Sequence, residues 1–310
     1  MPIDRPLRLR GLALAVLLGP VLIAGASRAQ DKPTELEEVI VEGRALSEVV
    51  RQFVDEVIAA PLDRGPARWT RRICVGVVNL RPEAAQVIAD RVGMLAAETG
   101  LPVGEPGCHP NILVMATDDG SALARAMVAS NPRIFRPGYA GATLGSVALE
   151  RFQSTSDAIR WWHVSVPISN DHNEIAVRLP GQQPPLFNQD ASRLTTNVRN
   201  DLAGVFIVLD INRTAGLSFQ QIGDYIGMIA LAQINPEADT RGNETILNLF
   251  EQGRTVDAAT DWDYSFLASL YAAELNQRRA NAQSGEITSI MQRDRTAASD
   301  NAPPEEAKED

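Results

Sequence analysis

The sequence predicts an α+β domain in which a mixed β-sheet packs against helices. In the first half of the chain, short runs rich in β-branched apolar residues alternate with longer segments of helical periodicity. Two alternating runs around a polar turn follow in the middle of the chain, and a long amphipathic helix follows the last strand. We expect a single domain over residues 46–280, because a segment of that length can bury one large core.

The N-terminal segment, residues 1–29, has the three regions of a secretory signal peptide. Three arginines precede an apolar run over Gly11–Ala26, and small residues at Ser27 and Ala29 stand where a signal peptidase reads the chain. An uncleaved membrane anchor is the alternative, but the apolar run is shorter than the roughly 20 residues of a spanning helix. We therefore expect a periplasmic or secreted protein with no integral membrane segment after cleavage.

The charge of the chain argues against a nucleic-acid partner. Loss of residues 1–29 removes four basic and one acidic residue from totals of 29 and 39, which leaves a net charge of about −13. The segment 281–310 ends in an acidic stretch without an apolar face. We expect this segment to be a disordered acidic tail.

The segment that follows the signal peptide, residues 30–45, is expected to be a flexible leader. Within it, Glu37–Gly43 resembles the TonB box of outer-membrane receptors. The resemblance implies that this segment contacts a protein partner. The alternative interpretation is that it is only an extended edge segment or a flexible leader. The residues it marks for partner binding are Glu37, Glu38, Val39, Ile40 and Val41. A helix is predicted next, over Leu46–Ala59.

A strand, a helix and a second strand are predicted over Ile73–Asn79, Pro82–Thr99 and Asn111–Thr117. The helix begins with a proline and is followed by Gly100, which are typical start and stop signals. If the two strands are parallel neighbours, a right-handed crossover brings their starting ends to the same edge of the sheet. We therefore expect a β-α-β unit here.

The two cysteines of the chain, Cys74 and Cys108, lie at or just before the starts of these two strands. An isolated pair in an oxidising compartment most simply forms one disulfide. Buried thiols or reactive groups are the alternatives, although the spacing is not that of a Cys-x-x-Cys redox motif. The predicted topology favours the disulfide.

The middle of the chain contains a predicted helix over Gly120–Ser130 and a glycine-rich loop over Pro137–Gly145. Arg160–Ile168 and Glu174–Leu179 flank a polar turn and indicate a hairpin, in which Trp161 and Trp162 would point to opposite faces. A further buried strand is predicted over Gly204–Asp210. Acidic residues at 118–119 and 257–263 stand where helices begin, so we interpret them as helix caps.

The clearest predicted helix covers Leu217–Ile234 and ends before Asn235-Pro236. Ser218 and Gln221 have the spacing of a capping box. Apolar residues form a stripe along one side of this helix. These features explain the segment as a structural helix without any reference to function.

This helix also resembles the active-site helix of the zincin metalloproteases, and of the metzincin branch in particular. The metzincin pattern is His-Glu-x-x-His-x-x-Gly-x-x-His; here Gln220 and Asp224 stand at the first two histidines, Gln221 at the glutamate, Gly227 at the glycine and Ala230 at the third histidine. The segments 245–250 and 261–271 are similar to the turn and closing helix of the same enzymes. The resemblance implies a zincin-like fold without the enzyme's metal ligands.

The substitutions argue against catalysis. A catalytic zinc site needs about three protein ligands, an open water position and a nearby carboxylate base, and the neutral amide of Gln221 cannot be that base. We therefore predict no catalytic residue, no metal ligand and no cofactor. The segment Ile73–Ala85 resembles one in a group of exported proteobacterial proteins, a resemblance that implies no activity.

The leading functional hypothesis is an exported non-catalytic protein, a pseudo-metalloprotease, that binds an unknown protein or small ligand. In that case Asp224→Ala is expected to leave the fold intact. The first alternative is a metal-dependent hydrolase with non-standard ligands, Asp224 together with His163 or His172. The second is a TonB-linked accessory protein that binds through residues 37–43.

Overall fold

The computed structural model describes residues 35–60, 65–139, 141–177, 196–253, 256–274, 277 and 279–300, with the backbone alone over 35–45. The predicted signal peptide, the start of the leader, the end of the second hairpin run and residues 301–310 lie outside the described residues. The chain divides into a short unit that ends at Ile40 and a large unit over Val41–Asp310. In the short unit, the described backbone from Glu35 on is helical.

The described part of the large unit contains a four-stranded mixed sheet, which confirms the α+β class. The strands are β1 (Val75–Val78), β2 (Ile112–Thr117), β3 (Ile159–Ser169) and β4 (Val198–Asp210), in the order β1-β2-β4-β3. β1, β2 and β4 are parallel, and β3 pairs antiparallel with β4.

The helices cover both faces of this sheet. They are α1 (Glu35–Val57), α2 (Pro82–Glu98), α3 (Gly120–Ser130), α4 (Pro132–Phe135), α5 (Gly145–Ser154), α6 (Phe219–Leu231), α7 (Asp261–Ala272) and α8 (Ala280–Asp300). No helix among the described residues is long and apolar enough to cross a membrane.

The predicted β-α-β unit is present as β1-α2-β2. Val75 pairs with Ile112 in the parallel ladder, so the two strands start at the same edge of the sheet. Cys74 and Cys108 are joined by a disulfide there, with their Cα atoms 6.1 Å apart. Both the topology and the predicted disulfide are confirmed.

Apolar side chains form one core on each face of the sheet. The larger core includes residues of α1, α2, α6, α7 and α8. The smaller core lies on the opposite face and contains Phe135, Phe152 and Trp162 from α4, α5 and β3. Trp161 packs against the larger core, so the two neighbouring tryptophans do point to opposite faces.

Helices α2 and α6 approach each other closely because α6 has glycines on the facing side. A Cβ at Gly223 would lie 2.8 Å from Cβ of Arg91, and a Cβ at Gly227 would lie 3.0 Å from Cδ1 of Leu95. The glycines that support the resemblance to zincins therefore have a packing role in this chain.

Two terminal expectations are wrong. The backbone of residues 37–43 is helical, so this segment is not extended, and the described part of the predicted leader belongs to α1. Residues 281–300 belong to α8 rather than to a disordered tail. Ile287 and Met291 lie four residues apart and are buried, as is the polar Gln283 one turn before them, so α8 has a buried side that its polar composition conceals.

The middle of the chain differs from expectation in two further places. The predicted hairpin after β3 is present only as a short antiparallel contact in the described residues: Ile168 bridges Ile175, and the N–H groups of Ser169 and Ala176 donate to the carbonyls of Glu174 and Pro167. The opposite edge of β3 pairs along its whole length with β4. Helix α5 follows the glycine-rich loop and was not predicted. Its Leu149 and Phe152 are buried in the smaller core.

Candidate functional site

Three zincin-like positions on α6, Gln221, Asp224 and Gly227, have structural roles in this fold. Gln220 is exposed. The side chain of Gln221 accepts a hydrogen bond from the N–H of Ser218 at 3.0 Å and donates one to the carbonyl oxygen of Val256 at 2.8 Å. Together with the bond from the N–H of Gln221 to Oγ of Ser218, this confirms the predicted capping box. Gln221 therefore fixes the start of α6.

Asp224 is completely buried between α6, α2 and the segment before α7. Its two carboxylate oxygens accept from Nε and Nη2 of Arg91, each at 2.5 Å, and one also accepts from the N–H of Ala259 at 2.9 Å. The hydrogen bond to Asp224 raises the pKa of Arg91. Asp224 thus joins three parts of the core, and these contacts lead us to expect that Asp224→Ala destabilises the fold.

The two histidines of the metal hypothesis lie in different environments. His163 is a buried residue of β3 whose Nε2 donates to the carbonyl oxygen of Ile229 at 2.7 Å, and burial lowers its pKa to about 4. His172 is exposed in the turn after β3. Within the described residues, no three His, Cys, Asp or Glu side chains are grouped so that they could hold a metal ion.

The outer edge of β3 is covered. Further along the strand, the N–H groups of Ser165 and Ser169 donate to the carbonyls of Ala142 and Glu174. Near Trp161–His163, the outer edge of β3 is separated from Leu144 and Ala148 by a cavity of about 20 Å³. This volume is roughly what one water molecule needs. An extended partner therefore cannot pair with β3 as an added strand unless these elements move.

A larger cavity of about 340 Å³ lies between the start of β3, α6 and the segment 234–251. Its aromatic floor consists of Trp161, Tyr225 and Phe250. The ring of Tyr225 makes edge-to-face contacts with both neighbours, at centroid distances of 6.2 Å to Trp161 and 5.1 Å to Phe250. Nε1 of Trp161 donates to the carbonyl oxygen of Ile234 at 3.0 Å, which holds the indole in place. We refer to this space as the aromatic cavity.

The rim of the aromatic cavity is acidic. Asp157, Glu237 and Glu251 contribute three carboxylates, and Arg151 of α5 contributes one guanidinium. Nη1 of Arg151 lies 2.9 Å from Asp157, its Nε lies 3.5 Å from Glu237, and its Nη2 donates to the carbonyl oxygen of Pro236. Glu251 is exposed and forms no ion pair within 4 Å among the described residues, although its charge acts on the guanidinium of Arg241, which is paired with Asp239. The rim therefore has a net negative charge.

The hydroxyl of Tyr225 is the polar group of the aromatic floor. Tyr225 is only 8 % exposed, and its hydroxyl has no hydrogen-bond partner among the residues that the structure describes. Burial, followed by the nearby carboxylates of Asp157 and Glu251, raises its pKa. The phenol thus stays protonated and can form a hydrogen bond with a group that enters the cavity.

A second, polar cavity of about 570 Å³ lies at the carboxyl ends of β2 and β4. Asp119 accepts from the N–H of Ala122, and Asp210 accepts from the N–H of Gly120 at 3.2 Å. These bonds satisfy the start of α3. The interpretation of residues 118–119 as helix-capping aspartates is confirmed for Asp119.

Sequence reasoning identified only part of the aromatic cavity. The predicted strand places Trp161 and Trp162 on opposite faces, but it gives no indication of the acidic residues of the cavity, because Asp157 and Glu251 stand far apart in the chain. Pairing of β3 with β4 and the packing of α6 bring them together. The local signal that could have been noticed is an aromatic residue on α6, Tyr225, among aliphatic neighbours.

Comparison of the chain with protein-family models, with curated proteins and with solved structures gives no match.

Proposed function

We propose that this chain is an exported, non-catalytic binding protein, a pseudo-metalloprotease that holds a partner protein's side chain in the aromatic cavity. The observation that carries the proposal is the contrast between two sites. Asp224 and Gln221 are used in structural hydrogen bonds, whereas the hydroxyl of Tyr225 and the carboxylate of Glu251 line the aromatic cavity with no hydrogen bond or close ion pair to another described residue.

The zincin-like part of the proposal is supported by the order of elements. A strand, β4, leads into the long helix α6, which is followed by a turn at 246–248 and by α7. A buried ion pair in place of the zincin ligands agrees with a non-catalytic relative, because Asp224 could bind a metal only by giving up Arg91.

Export is supported by the disulfide and by the signal-like segment. The bond between Cys74 and Cys108 would persist in an oxidising compartment and would be rare in the cytoplasm. This agrees with a periplasmic or secreted location for the mature chain.

The size of the aromatic cavity favours one or two side chains as the occupant. Its volume of about 340 Å³ lies near the lower end of the roughly 300–1,000 Å³ of ligand pockets. Since the edge of β3 is covered, a partner would be recognised mainly through side chains in this cavity rather than through strand pairing.

The proposal can be tested on an array of peptides with random cores, incubated with the mature protein. We expect a subset of peptides to bind without cleavage, as checked by mass spectrometry. Phe250→Ala, which removes part of the floor, should abolish most of this binding. Ile134→Ala is a matched control, since Ile134 is an exposed apolar residue outside the cavity. Cleaved peptides would overturn the non-catalytic assignment, and binding that survives Phe250→Ala would overturn the assignment of the cavity.

A further inference from the structure

We infer that the aromatic cavity takes a positively charged side chain, the lysine or arginine of a partner peptide. The inference rests on the proposed function and specifies the chemistry of the bound group. It follows from three features of the cavity: its aromatic floor, its acidic rim and the guanidinium that already lies on that rim.

The floor and the rim together match an organic cation. Aromatic rings attract an ammonium or guanidinium group and also contact its aliphatic stem. The rings of Trp161, Tyr225 and Phe250 are held together by edge-to-face contacts, so the floor is formed before a ligand arrives. Three carboxylates stand around it. A lysine or arginine has both parts that such a cavity contacts, an apolar stem and a charged end.

Arg151 provides an internal example of the proposed binding mode. Its guanidinium is bound by the carboxylates of Asp157 and Glu237 and by the carbonyl oxygen of Pro236. Arg241 feels the charge of Glu251 but is paired with Asp239, so the carboxylate of Glu251 and the hydroxyl of Tyr225 can still bind a second cation. The partner's side chain would enter next to Arg151, with its charged end close to Glu251.

Other classes of side chain fit less well. An acidic side chain would meet three carboxylates and only one guanidinium, and the whole chain has a formal charge of −10. A purely apolar side chain would shield the hydroxyl of Tyr225 from water without giving it a partner, which is costly for a buried polar group. The acidic rim would also speed the approach of basic segments at low ionic strength.

The test uses the full mature protein and peptides selected from the array. Each peptide is made with lysine, arginine, norleucine or glutamate at the residue that the array shows to be essential. Fluorescence anisotropy should give at least tenfold tighter binding for lysine or arginine than for norleucine, which has a similar stem without the charge. The preference should weaken as salt is added.

The matching protein variants are Glu251→Gln, Asp157→Asn and Tyr225→Phe, with Glu105→Gln as an exposed acidic control outside the cavity. We expect Glu251→Gln to weaken lysine peptides by about tenfold and to leave norleucine peptides unchanged, with no change for Glu105→Gln. Equal binding of lysine and norleucine peptides, unaffected by Glu251→Gln, would overturn the inference while the proposed function stands. A lack of peptide binding would overturn both.

Discussion

Arg91 on α2 and Asp224 on α6 form a bidentate ion pair, in which two nitrogens of the guanidinium each lie 2.5 Å from a different oxygen of the carboxylate. The side chain of Asp224 is fully buried, and that of Arg91 is 22 % exposed. The pair connects the two most closely packed helices of the domain at a position where the zincin pattern has a metal ligand. Asp224 therefore stabilises the packing of α2 against α6, at a position where the zincin pattern has a histidine that binds zinc.

Removal of this carboxylate should destabilise the protein. We expect Asp224→Ala to lower the free energy of unfolding by about 3 kcal/mol, because the guanidinium of Arg91 and the N–H of Ala259 lose their partner. Urea denaturation followed by tryptophan fluorescence measures this change. Asp257→Ala, at an exposed position, should change stability by less than about 0.5 kcal/mol. An unchanged midpoint for Asp224→Ala would contradict the structural role of the pair.

The two glycines of α6 should respond differently to alanine. At Gly223 the new Cβ would lie 2.8 Å from Cβ of Arg91 and 3.3 Å from the backbone of Ile88, which cannot move easily. We expect Gly223→Ala to cost about 1–3 kcal/mol in spite of the higher helix propensity of alanine.

At Gly227 the nearest atom is the end of the flexible side chain of Leu95, at 3.0 Å. Gly227→Ala should therefore stay within about 1 kcal/mol of the wild type in the same urea measurement, because relief of the contact and gain in helix propensity offset each other. Equal destabilisation by the two substitutions would mean that α2 and α6 are not packed as described.

Local patterns predicted much of this fold, and contacts between distant residues account for what they missed. The β-α-β unit, the disulfide and the capping box of Ser218 and Gln221 follow from neighbouring residues or from strand order. The partner of Asp224 could not be predicted, because Arg91 lies 133 residues away in the sequence. The expectation for Asp224→Ala therefore did not take the ion pair with Arg91 into account.

Composition misled the prediction at the C-terminal end. The acidic residues beyond 300 suggested that all of 281–310 was disordered, although Ile287 and Met291 have the spacing of a buried helical stripe. The pairing of β3 with β4 joins segments that are far apart in the sequence, so local patterns could not predict it. The aromatic cavity was missed for the same reason, because strand pairing and helix packing assemble it.

His163 should make the stability of the protein depend on pH. Burial lowers its pKa to about 4 in the folded state, whereas a histidine in the unfolded chain has a pKa near 6.5. The unfolded state therefore takes up the proton first as the pH falls. The stability that the neutral ring provides is complete above about pH 6.5 and is lost progressively between there and pH 4.

The expected loss from this residue is about 3 kcal/mol over that range. Urea denaturation at pH 7.0 and pH 4.5 should show a larger fall for the wild type than for His163→Gln, whose amide does not titrate. The comparison isolates His163 from other groups. An equal fall in both proteins would show that the ring is already able to accept a proton in the folded state.

The disulfide should contribute strongly to stability. It joins residues 34 positions apart, and the entropy of closing a loop of that size corresponds to about 4 kcal/mol. We expect the double variant Cys74→Ala, Cys108→Ala to lose roughly this amount in urea denaturation without reductant. Dithiothreitol should destabilise the wild type and leave the double variant unchanged. A response of the double variant to reductant would show that the effect has another source.

Metal content is the most direct measurement of whether α6 holds a structural ion pair rather than a metal centre. The mature protein, purified without an affinity tag or chelator, is dialysed and measured by elemental mass spectrometry, with Asp224→Asn beside it. We expect far less than one equivalent of zinc or any other transition metal in both proteins. Near-stoichiometric metal in the wild type, lost in Asp224→Asn, would contradict the non-catalytic assignment.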